Sequence, residues 1–412
     1  MIDLLKAAEP FAPLIGVAPL LRRALLKDDL RPLGAVLLAR AQQNPLDANA
    51  YLDFSTVLQL TGEPGYALAV QAEAIRIQPL YSLPARQSTT GLRLLVVMGP
   101  GDLMSNTPIE FLLEDSDVAL DLLFLTPDST WPDSVPEHDV MMVGIAESDA
   151  NQSLLHQVAQ GVAGWPRPVI NAPELIAVLS RDGVCAALER VDGVLLPLTA
   201  RTDRTNLLAL AADATHLSNL LPCDQFPLIV RPVGSHAGQN LEKVTTPADV
   251  ADYLARVDGE RFYVSRFIDY RSADGMFRKY RIALIEGLPY ICHFAVSEHW
   301  MIHYLNAGMD ESAEKRRQEA ECMAHFVDEF AVRHAAALTA VFDRLGLPYL
   351  GIDCAETPDG QLLVFEIDNA MIVHAMDSEE LYGYKRPAMQ KVFAAFRTML
   401  QKHRTADTLI SP

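Results

Sequence analysis

The chain has 412 residues, half of them hydrophobic and about a fifth charged, a composition typical of a soluble globular protein with two or three domains. The formal net charge of −19 argues against a general affinity for nucleic acid or anionic membranes. The sequence has no apolar run of the ~20 residues that a membrane span needs, and its five scattered cysteines include no CxxC pair. We therefore expect a cytoplasmic protein with reduced thiols and with neither a membrane nor a nucleic-acid partner.

Residues 1–85 are predicted to form an all-α helical module. Apolar residues recur at three- and four-residue spacing in "LRPLGAVLLARAQQNP", "AYLDFSTVLQLTG" and "GYALAVQAEAIRIQP". Pro45 and Pro79 are 34 residues apart, the period of a tetratricopeptide repeat, and the last two segments resemble one such repeat. Because a single repeat cannot bury its own face, we expect the module to dock on the rest of the chain. A groove for a protein or peptide partner is the alternative to this packing role.

A Rossmann-like domain is predicted at residues 92–173, after a linker at 81–91. The predicted strands are "LRLLVVM", "LDLLFLT", "DVMMVGIAE" and "PRPVINA", and the main predicted helix is "NQSLLHQVAQGV". This alternation predicts a parallel sheet with helices on both faces. The glycine turn at 99–101 either cradles an anion at a helix start or is a plain strand-to-helix turn.

The pattern changes in residues 174–405, where a second α/β (α+β) domain is predicted. We place its central subdomain at about 180–270 and its C-terminal subdomain at about 271–405. A helix-rich stretch at 174–220 precedes several strands typical of an antiparallel sheet, followed by a helical run at 310–345. An acidic hairpin and a closing helix complete the prediction.

The acidic hairpin, "GIDCAETPDGQLLVFEID" (351–368), raises the question of what balances its charge. Its Asp-Gly pair is a turn signal between two strands. Glu366 and Asp368 lie two residues apart on one strand and share a face, and Asp353 can lie alongside on the other strand. Three carboxylates on one face suit Mg²⁺, whereas solvated and unrelated acidic residues are the alternative interpretation.

A glycine loop precedes the hairpin by about 120 residues, in "VRPVGSHAGQNLEKV". Small residues between two strands can present backbone N–H groups to phosphates, and Arg231 just before them can bind phosphate oxygens. An ordinary hairpin turn is the alternative.

Taken together, these motifs resemble the ATP-grasp superfamily over residues from about 92 to 400. This superfamily includes D-alanine–D-alanine ligase and the peptide glutamate ligases. The acidic hairpin is similar to the family's final magnesium hairpin, which implies Asp353 and Glu366 as metal ligands and puts Asp368 in the position of an asparagine. Asn369 follows directly and leaves a one-residue ambiguity.

Three further segments carry the resemblance. "FPLIVRPVGSHAGQNLEKV" is similar to the phosphate-lysine strand and glycine loop, "YVSRFIDY" to the adenine hinge, and "FRKYRIALIEG" to the strand whose arginine meets the transferring phosphate. The implied metal ligands are Asp353, Glu366 and Asp368. The implied ATP-binding residues are Arg231, Gly234, Ser235, His236, Ala237, Gly238, Arg266, Phe267 and Ile268. The candidate catalytic residues are Arg281, Lys279, which shares its strand face, and His303, which could be a base or simply pack.

The sequence departs from the family pattern at two lysine positions. Arg231 replaces one lysine, which keeps the charge but changes the geometry, and Gly183 stands at the other, beside Arg181. The resemblance implies an ATP-dependent ligase joining a small-molecule or peptide carboxylate to an amine through an acylphosphate, with ATP and Mg²⁺ (or Mn²⁺) as cofactors. A catalytically degenerate nucleotide- and partner-binding protein, and a phosphotransferase, are the alternatives. Homodimerisation is left open.

Overall fold

The computed structural model describes residues 11–222, 225–235, 238–303 and 306–408, with side chains up to residue 404. Its first helices are α1 (Val17–Leu25), α2 (Arg31–Gln43), α3 (Ala48–Leu60) and α4 (Pro64–Ile77). Asp47 caps α3 by accepting a hydrogen bond from the Ala50 backbone N–H at 3.0 Å, and Pro64 opens α4. The three helical segments predicted from periodicity are thus α2 to α4. Their grouping as a tetratricopeptide repeat stays a prediction.

A five-stranded sheet follows the helices. It comprises β1 (Leu80–Leu83), β2 (Leu92–Met98), β3 (Val118–Phe124), β4 (Val140–Val143) and β5 (Val169–Ile170), with α5 (Ile109–Leu112) and α6 (Gln152–Val162) between its strands. The order is β1-β3-β2-β4-β5, and all neighbours are parallel except β1 and β3. The predicted linker at 81–91 is therefore wrong at its start, because residues 81–83 belong to an antiparallel edge strand. Tyr81 is fully buried there and packs edge-on against Phe124, with ring centroids 5.9 Å apart.

A second, four-stranded antiparallel sheet has the order β7-β10-β8-β9. The elements of this region are α7 (Pro173–Ile176), α8 (Arg181–Ala187), β6 (Val194–Leu195), β7 (Thr199–Asp203), α9 (Arg204–Ala212), α10 (Leu217–Leu220), β8 (Leu228–Pro232), β9 (Glu242–Val244), α11 (Pro247–Arg256) and β10 (Arg261–Arg266), with a 3₁₀ turn at Ala214–His216. The stretch predicted as helix-rich, 174–220, contains two strands that the prediction missed. Tyr253 and Phe262 fill the core between this sheet and its helices.

A third sheet has the order β12-β11-β13-β14-β6. The remaining elements are β11 (Phe277–Ile285), β12 (Leu288–Ser297), α12 (Ala313–His325), α13 (Phe330–Arg333), α14 (Ala335–Leu345), β13 (Tyr349–Glu356), β14 (Leu362–Asp368), α15 (Glu379–Tyr382) and α16 (Arg386–Thr408), with a 3₁₀ turn at Gly383–Lys385. The predicted hairpin is confirmed as β13 and β14. Its turn places Gly360 at φ +82°, where glycine is favoured over side chains with a Cβ atom.

A β-bulge interrupts the hairpin next to its carboxylates. Asp353 pairs with Glu366, but the following residue Cys354 pairs with Val364, so Phe365 is the extra residue on β14. A bulge locally bends a strand and leaves one residue outside the ladder. The hairpin ladder therefore changes register directly beside Asp353 and Glu366.

The helical region and the first sheet share one hydrophobic core with the third sheet. Leu52 and Ala74 of the helices lie in it, together with Tyr349 of β13 and Phe396 of α16. This packing agrees with the predicted docking of the helical module. The domain boundaries drawn from the sequence stay predictions. Within the described ranges, no helix is both long and apolar enough to cross a membrane.

Candidate functional site

A large cavity of about 1170 Å³ lies between the four-stranded and the third sheet. Residues of β8 and β10 line one wall, residues of β11, β13 and β14 line the other, and the loops after β2 and β4 also contribute. Every predicted site residue that the structure describes lines this cavity: Arg231, Gly234, Ser235, Gly238, Arg266, Phe267, Ile268, Lys279, Arg281, His303, Asp353, Glu366 and Asp368. His236 and Ala237 lie outside the described residues.

A row of charged side chains crosses the third sheet at the cavity wall. Arg281 of β11 pairs in register with Asp353 of β13, which pairs with Glu366 of β14. The Arg281 guanidinium donates from Nε and Nη2 to the two Asp353 oxygens at 2.8 and 3.0 Å, and Lys279 Nζ lies 2.6 Å from Asp353 Oδ2. Asp353 is therefore neutralised by two protein cations, and the bidentate geometry is the strong form of such a pair.

Glu366 has its own cation, Arg181, at the start of α8. The Arg181 guanidinium donates to Glu366 Oε1 and also, at 3.2 Å, to the backbone carbonyl of Phe365. That carbonyl belongs to the extra residue of the bulge. Ser180 fixes the start of α8 by accepting a hydrogen bond from the Gly183 N–H at 3.2 Å. The helix start thus aims Arg181 at the hairpin.

Position 183 leaves little room for a side chain. A Cβ atom on Gly183 would lie 2.4 Å from the backbone oxygen of Val178 and 2.8 Å from Ser180 Oγ. Real Cβ contacts are almost never shorter than 3.0 Å, so a larger residue there requires the backbone to shift.

The pKa values of the hairpin carboxylates are shifted in different directions. Burial alone would raise the pKa of Asp353, but Arg281 and Lys279 outweigh it and hold that pKa far below its usual range. For Glu366, Arg181 and Arg231 likewise outweigh burial and lower the pKa.

Asp368 behaves in the opposite way. Burial, followed by the negative charge of Glu366, raises the pKa of Asp368 to about 7. One of its oxygens accepts a hydrogen bond from the Ala370 N–H at 2.8 Å. Asp368 is therefore the carboxylate of the row whose negative charge is least compensated.

Asp368 and Asn369 lie in different surroundings. Asp368 lines the cavity, whereas Asn369 is fully buried. The Asn369 side-chain amide donates to the Ile145 carbonyl at 2.9 Å, and its backbone carbonyl accepts from the Thr107 hydroxyl at 2.9 Å. Asn369 thus ties the hairpin to the parallel sheet.

Arg231 on β8 faces the cavity from the opposite sheet. Its Nε donates to Ser235 Oγ at 3.1 Å and its Nη2 to the Ser235 carbonyl. Burial, followed by repulsion from Arg181, lowers the pKa of Arg231 to about 10. Gly234 and Gly238 have φ of +78° and +73°, and no atom lies within 4 Å of a Cβ built on Gly234. The loop therefore has open space above an arginine whose charge is poorly solvated.

An aromatic group lines another part of the cavity. Phe267, directly after β10, packs edge-on against Trp300 with ring centroids 5.6 Å apart. Lys243 Nζ lies 3.8 Å from the Phe267 ring centroid, a cation–π distance. The Phe267 N–H donates to the Pro227 carbonyl at 3.1 Å. Together with Ile268, these rings form an apolar surface suited to a planar heterocycle.

The histidines that follow β11 in the sequence fall into two groups. His303 lines the cavity, where burial and then Lys279 and Arg281 lower its pKa, so the neutral imidazole is favoured. His293 pairs in register with Arg281, but its Nδ1 lies 3.0 Å from Lys385 Nζ in the protein interior. His374 packs edge-on against Phe111. Neither His293 nor His374 lines the large cavity.

The glycine turn after β2 is a plain turn. The Gly99 N–H and carbonyl are both hydrogen-bonded to the Asn106 side chain, at 2.7 and 2.8 Å. The Gly101 N–H and carbonyl bond to the Gln71 side chain of α4, at 2.8 and 2.9 Å. Because these groups are already paired, they are not available to an anion.

Two features of the site were not predicted. The sequence marked Arg181 only as a neighbour of Gly183, although it is the partner of Glu366. Asp149, on the loop after β4, forms ion pairs with Arg201 at 2.6 Å and Arg261 at 2.8 Å. These pairs join the parallel-sheet region to the four-stranded sheet, and their sequence separation leaves no local signal from which to find them.

The carboxylate row does not have the arrangement of a ready-made metal centre. Among the described residues, no group of three or more His, Cys, Asp and Glu side chains has metal-binding geometry. The four described cysteines (Cys185, Cys292, Cys322 and Cys354) are free thiols, and Cys223 lies outside the described residues. The assignment of Asp353, Glu366 and Asp368 as metal ligands stays a prediction.

Comparisons with known proteins give structural likenesses only. No family model matches the sequence, and a search of curated proteins also finds no match. Among solved structures, D-alanyl-alanine synthetase A from Vibrio cholerae is 14% identical, with a TM-score of 0.48, over 77% of this chain and 100% of that one.

Two further structures are similar to the chain. The VanG D-Ala:D-Ser ligase from Enterococcus faecalis is 14% identical with a TM-score of 0.44, over 75% of this chain and 99% of that one. A RimK domain protein ATP-grasp from Sphaerobacter thermophilus is 15% identical with a TM-score of 0.40, over 74% and 98%. Because these TM-scores lie below 0.5, the likenesses establish neither a family nor an activity for this chain.

Proposed function

We propose that the protein is an ATP-dependent carboxylate–amine ligase of the ATP-grasp kind and that the large cavity is its active site. The observation that carries the proposal is the convergence of residues from distant parts of the sequence. Of the residues that the structure describes, six Arg and Lys side chains and seven Asp and Glu side chains line one cavity, together with the aromatic surface at Phe267 and Trp300. They include the cations Arg181, Arg231, Lys279 and Arg281 and the hairpin carboxylates Asp353, Glu366 and Asp368. Cations suit the phosphates of ATP, and the aromatic surface suits adenine.

The phosphates would be held from both sheets. Arg231 and the loop at 234–238 would bind them from the four-stranded sheet, and Lys279 and Arg281 from the third sheet. Phosphoryl transfer depends mainly on positioning and charge neutralisation, which fixed cations in a cavity provide. Arg281 is well suited to this task because Asp353 and the Ile372 carbonyl, which accepts from its Nη1 at 3.2 Å, fix its orientation.

The donor set fits a divalent cation at the open end of the hairpin. Glu366 and Asp368 supply the oxygen ligands that Mg²⁺ prefers, and the raised pKa of Asp368 reflects a negative charge that a cation would compensate. Asp353 would join them only by sharing its oxygens with Lys279 and Arg281. Bound there, Mg²⁺ would supply neutralisation of phosphate charge.

The proposed reaction has two steps. A substrate carboxylate oxygen attacks the γ-phosphorus, the bond to the β,γ-bridging oxygen breaks, and an acylphosphate and ADP form. An amine nitrogen then attacks the acyl carbon, releasing phosphate as the amide bond forms. Neutral His303 is placed in the cavity to accept the proton that the amine loses, and Arg281 would stabilise the charge on the transferring group.

Hydroxylamine trapping tests the reaction without knowledge of the natural amine. With MgATP, hydroxylamine and a panel of carboxylic and amino acids, a ligase forms a hydroxamate together with equal amounts of ADP and free phosphate. A phosphotransferase would form ADP and a phosphorylated product without free phosphate. ATP binding with no ADP release for any substrate would instead favour a nucleotide-gated binding protein, an alternative that Gly183 and the engagement of Arg231 with Ser235 support.

Thermal melting with ATP tests the nucleotide site independently. We expect a rise in melting temperature that requires Mg²⁺ in the wild type and is lost in Glu366→Gln, because a ligand that binds only the folded state stabilises it by mass action. At a hundredfold excess over Kd the stabilisation is about 2.7 kcal/mol. Glu321→Gln, the same change at an exposed position of α12, is the matched control and keeps the full shift. An equal shift in Glu366→Gln would contradict the proposal.

A further inference from the structure

A second, smaller cavity lies beside the large one, between the N-terminal helices and the parallel sheet. Its volume is about 110 Å³. Asp102 and Ile372 line both cavities, so the two adjoin at these residues. Ile372 is also the residue whose carbonyl accepts the hydrogen bond from Arg281 Nη1. Ile372, a lining residue of the small cavity, thus contacts Arg281, the arginine that we assign to the transferring phosphate.

The interior of this side pocket is apolar. Its hydrophobic lining comes from the helices, from strands β2 and β3 and from nearby loops: Leu14, Val17, Leu21, Leu52, Met98, Leu103, Ile109, Phe111, Leu122, Phe124 and Ile372. An engineered cavity of about 150 Å³ with a similar lining binds benzene, so one of this size suits roughly three to five carbon atoms.

Two carboxylates at the side pocket, Asp53 and Glu110, accept hydrogen bonds from backbone N–H groups. Asp53 accepts hydrogen bonds from the N–H groups of Ile15 and Gly16, at 2.9 and 3.1 Å. Glu110 accepts from Val17 and Ala18, both at 3.0 Å. An apolar group can therefore enter without stripping these carboxylates of their partners, whereas a negatively charged group would lose its hydration and be repelled by them.

We propose that the side pocket binds an aliphatic side chain, of the size of valine or leucine, on the carboxylate substrate. This inference rests on the proposed function, since it takes the carboxylate to lie near Arg281 and the side chain to extend past Ile372. The N-terminal helices then supply part of the substrate site. Each methylene that enters the pocket is worth about fourfold in kcat/KM, the equivalent of ~0.8 kcal/mol per buried CH₂.

The test compares substrates and pocket variants together. ADP release and hydroxamate formation are measured with glycine, alanine, valine, leucine, phenylalanine and glutamate. Leu21→Phe narrows the pocket and Met98→Ala widens it, and neither residue lines the large cavity. Leu25→Phe, on the exposed side of the same helix, is the matched control. Calorimetric binding of leucine to each variant is a readout that does not need turnover.

In the wild type we expect kcat/KM for valine or leucine to exceed that for alanine by tenfold or more. Glutamate should have the lowest kcat/KM of the six substrates. Leu21→Phe should shift the preference toward alanine and Met98→Ala toward phenylalanine, opposite changes that a folding defect cannot mimic, with Leu25→Phe unchanged. The inference is overturned, and the ligase proposal stands, if kcat/KM is the same for all side chains or if neither pocket variant changes the preference.

A different result would separate the two proposals. If Leu21→Phe weakens leucine binding but no substrate gives ADP release, the pocket is supported and the ligase proposal is overturned. A pocket that binds no leucine overturns the inference.

Discussion

Two pairs of carboxylates in different regions of the molecule have pKa values displaced in opposite directions. At the cavity, Asp353 and Glu366 have lowered pKa values, because Arg281, Lys279 and Arg181 outweigh burial. At the junction of the N-terminal helices, burial raises the pKa of Asp53 and of Glu110 to about 6, because backbone N–H groups offset it only in part. Burial acts in the same direction in both regions, so the kind of partner decides the outcome.

This difference indicates two uses of buried negative charge. The cavity keeps Asp353 and Glu366 ionised beside cations that an incoming polyanion can also use. The helical junction uses its carboxylates to hold the first residues of α1 in place, at an electrostatic cost at neutral pH. Removing single members of each pair separates the two uses.

The largest expected effect is at Asp353. In Asp353→Asn, Lys279 and Arg281 lose their buried counter-charge, and breaking such a buried pair costs about 3–5 kcal/mol of unfolding free energy. Urea denaturation measures it. Asp359→Asn, the same change at the exposed tip of the same hairpin, should stay within about 0.5 kcal/mol of the wild type. If the two variants lose similar amounts of unfolding free energy, Asp353 is not needed to compensate the charges of Lys279 and Arg281.

A pH series examines the other pair. Because the pKa of Asp53 is about 6 in the folded protein against an ordinary value of 3.8, the folded state binds the proton more tightly. The stabilisation from this proton is complete below about pH 3.8 and is lost as the pH rises through 6, a change of up to about 3 kcal/mol. Unfolding free energies between pH 4 and 7 should therefore fall more steeply for the wild type than for Asp53→Asn. Parallel curves for the two proteins would contradict this assignment.

A smaller effect is expected at the glycine beside Arg181. Gly183→Ala forces a Cβ atom toward the Val178 carbonyl and should destabilise the protein by about 1–3 kcal/mol. In the helical region, a Cβ atom added to Gly65 of α4 would meet no other atom within 4 Å, and Gly65→Ala should stabilise by about 0.4–1 kcal/mol. Thermal denaturation of the two variants provides the comparison. If Gly183→Ala leaves the melting temperature unchanged, the backbone at α8 can shift to accommodate the added Cβ atom.

Local patterns were sufficient to predict the hairpin and its row of carboxylates, whereas Arg266, Phe267, Ile268 and Arg281 were predicted only through the family resemblance. The Asp-Gly turn and the period of two fix which side chains of β13 and β14 share a face, and hence the row of carboxylates. The helix α11 was missed although its start carries a readable signal, the capping box between Thr246 and Asp249 with Pro247 between them.

Long-range charge pairing could not be predicted from the sequence. The carboxylates of the hairpin were assigned to magnesium and phosphates, yet Asp353 and Glu366 have protein cations as partners, 72 and 185 residues away along the chain. The strands β6 and β7 were missed because one is only two residues long and the other, "TARTD", lacks a hydrophobic stripe. Both depend on neighbours that only the folded chain supplies.

The extra residue at Phe365 divides the hairpin into two halves that respond differently to changes in chain length. The tip at 358–360 is exposed, so a residue gained or lost there can be absorbed within the turn. A residue lost at Phe365 would remove the bulge together with the backbone carbonyl to which Arg181 donates a hydrogen bond. Insertions and deletions over evolutionary time are thus expected at the tip, while the segment from Phe365 to Asp368 is held to a fixed length.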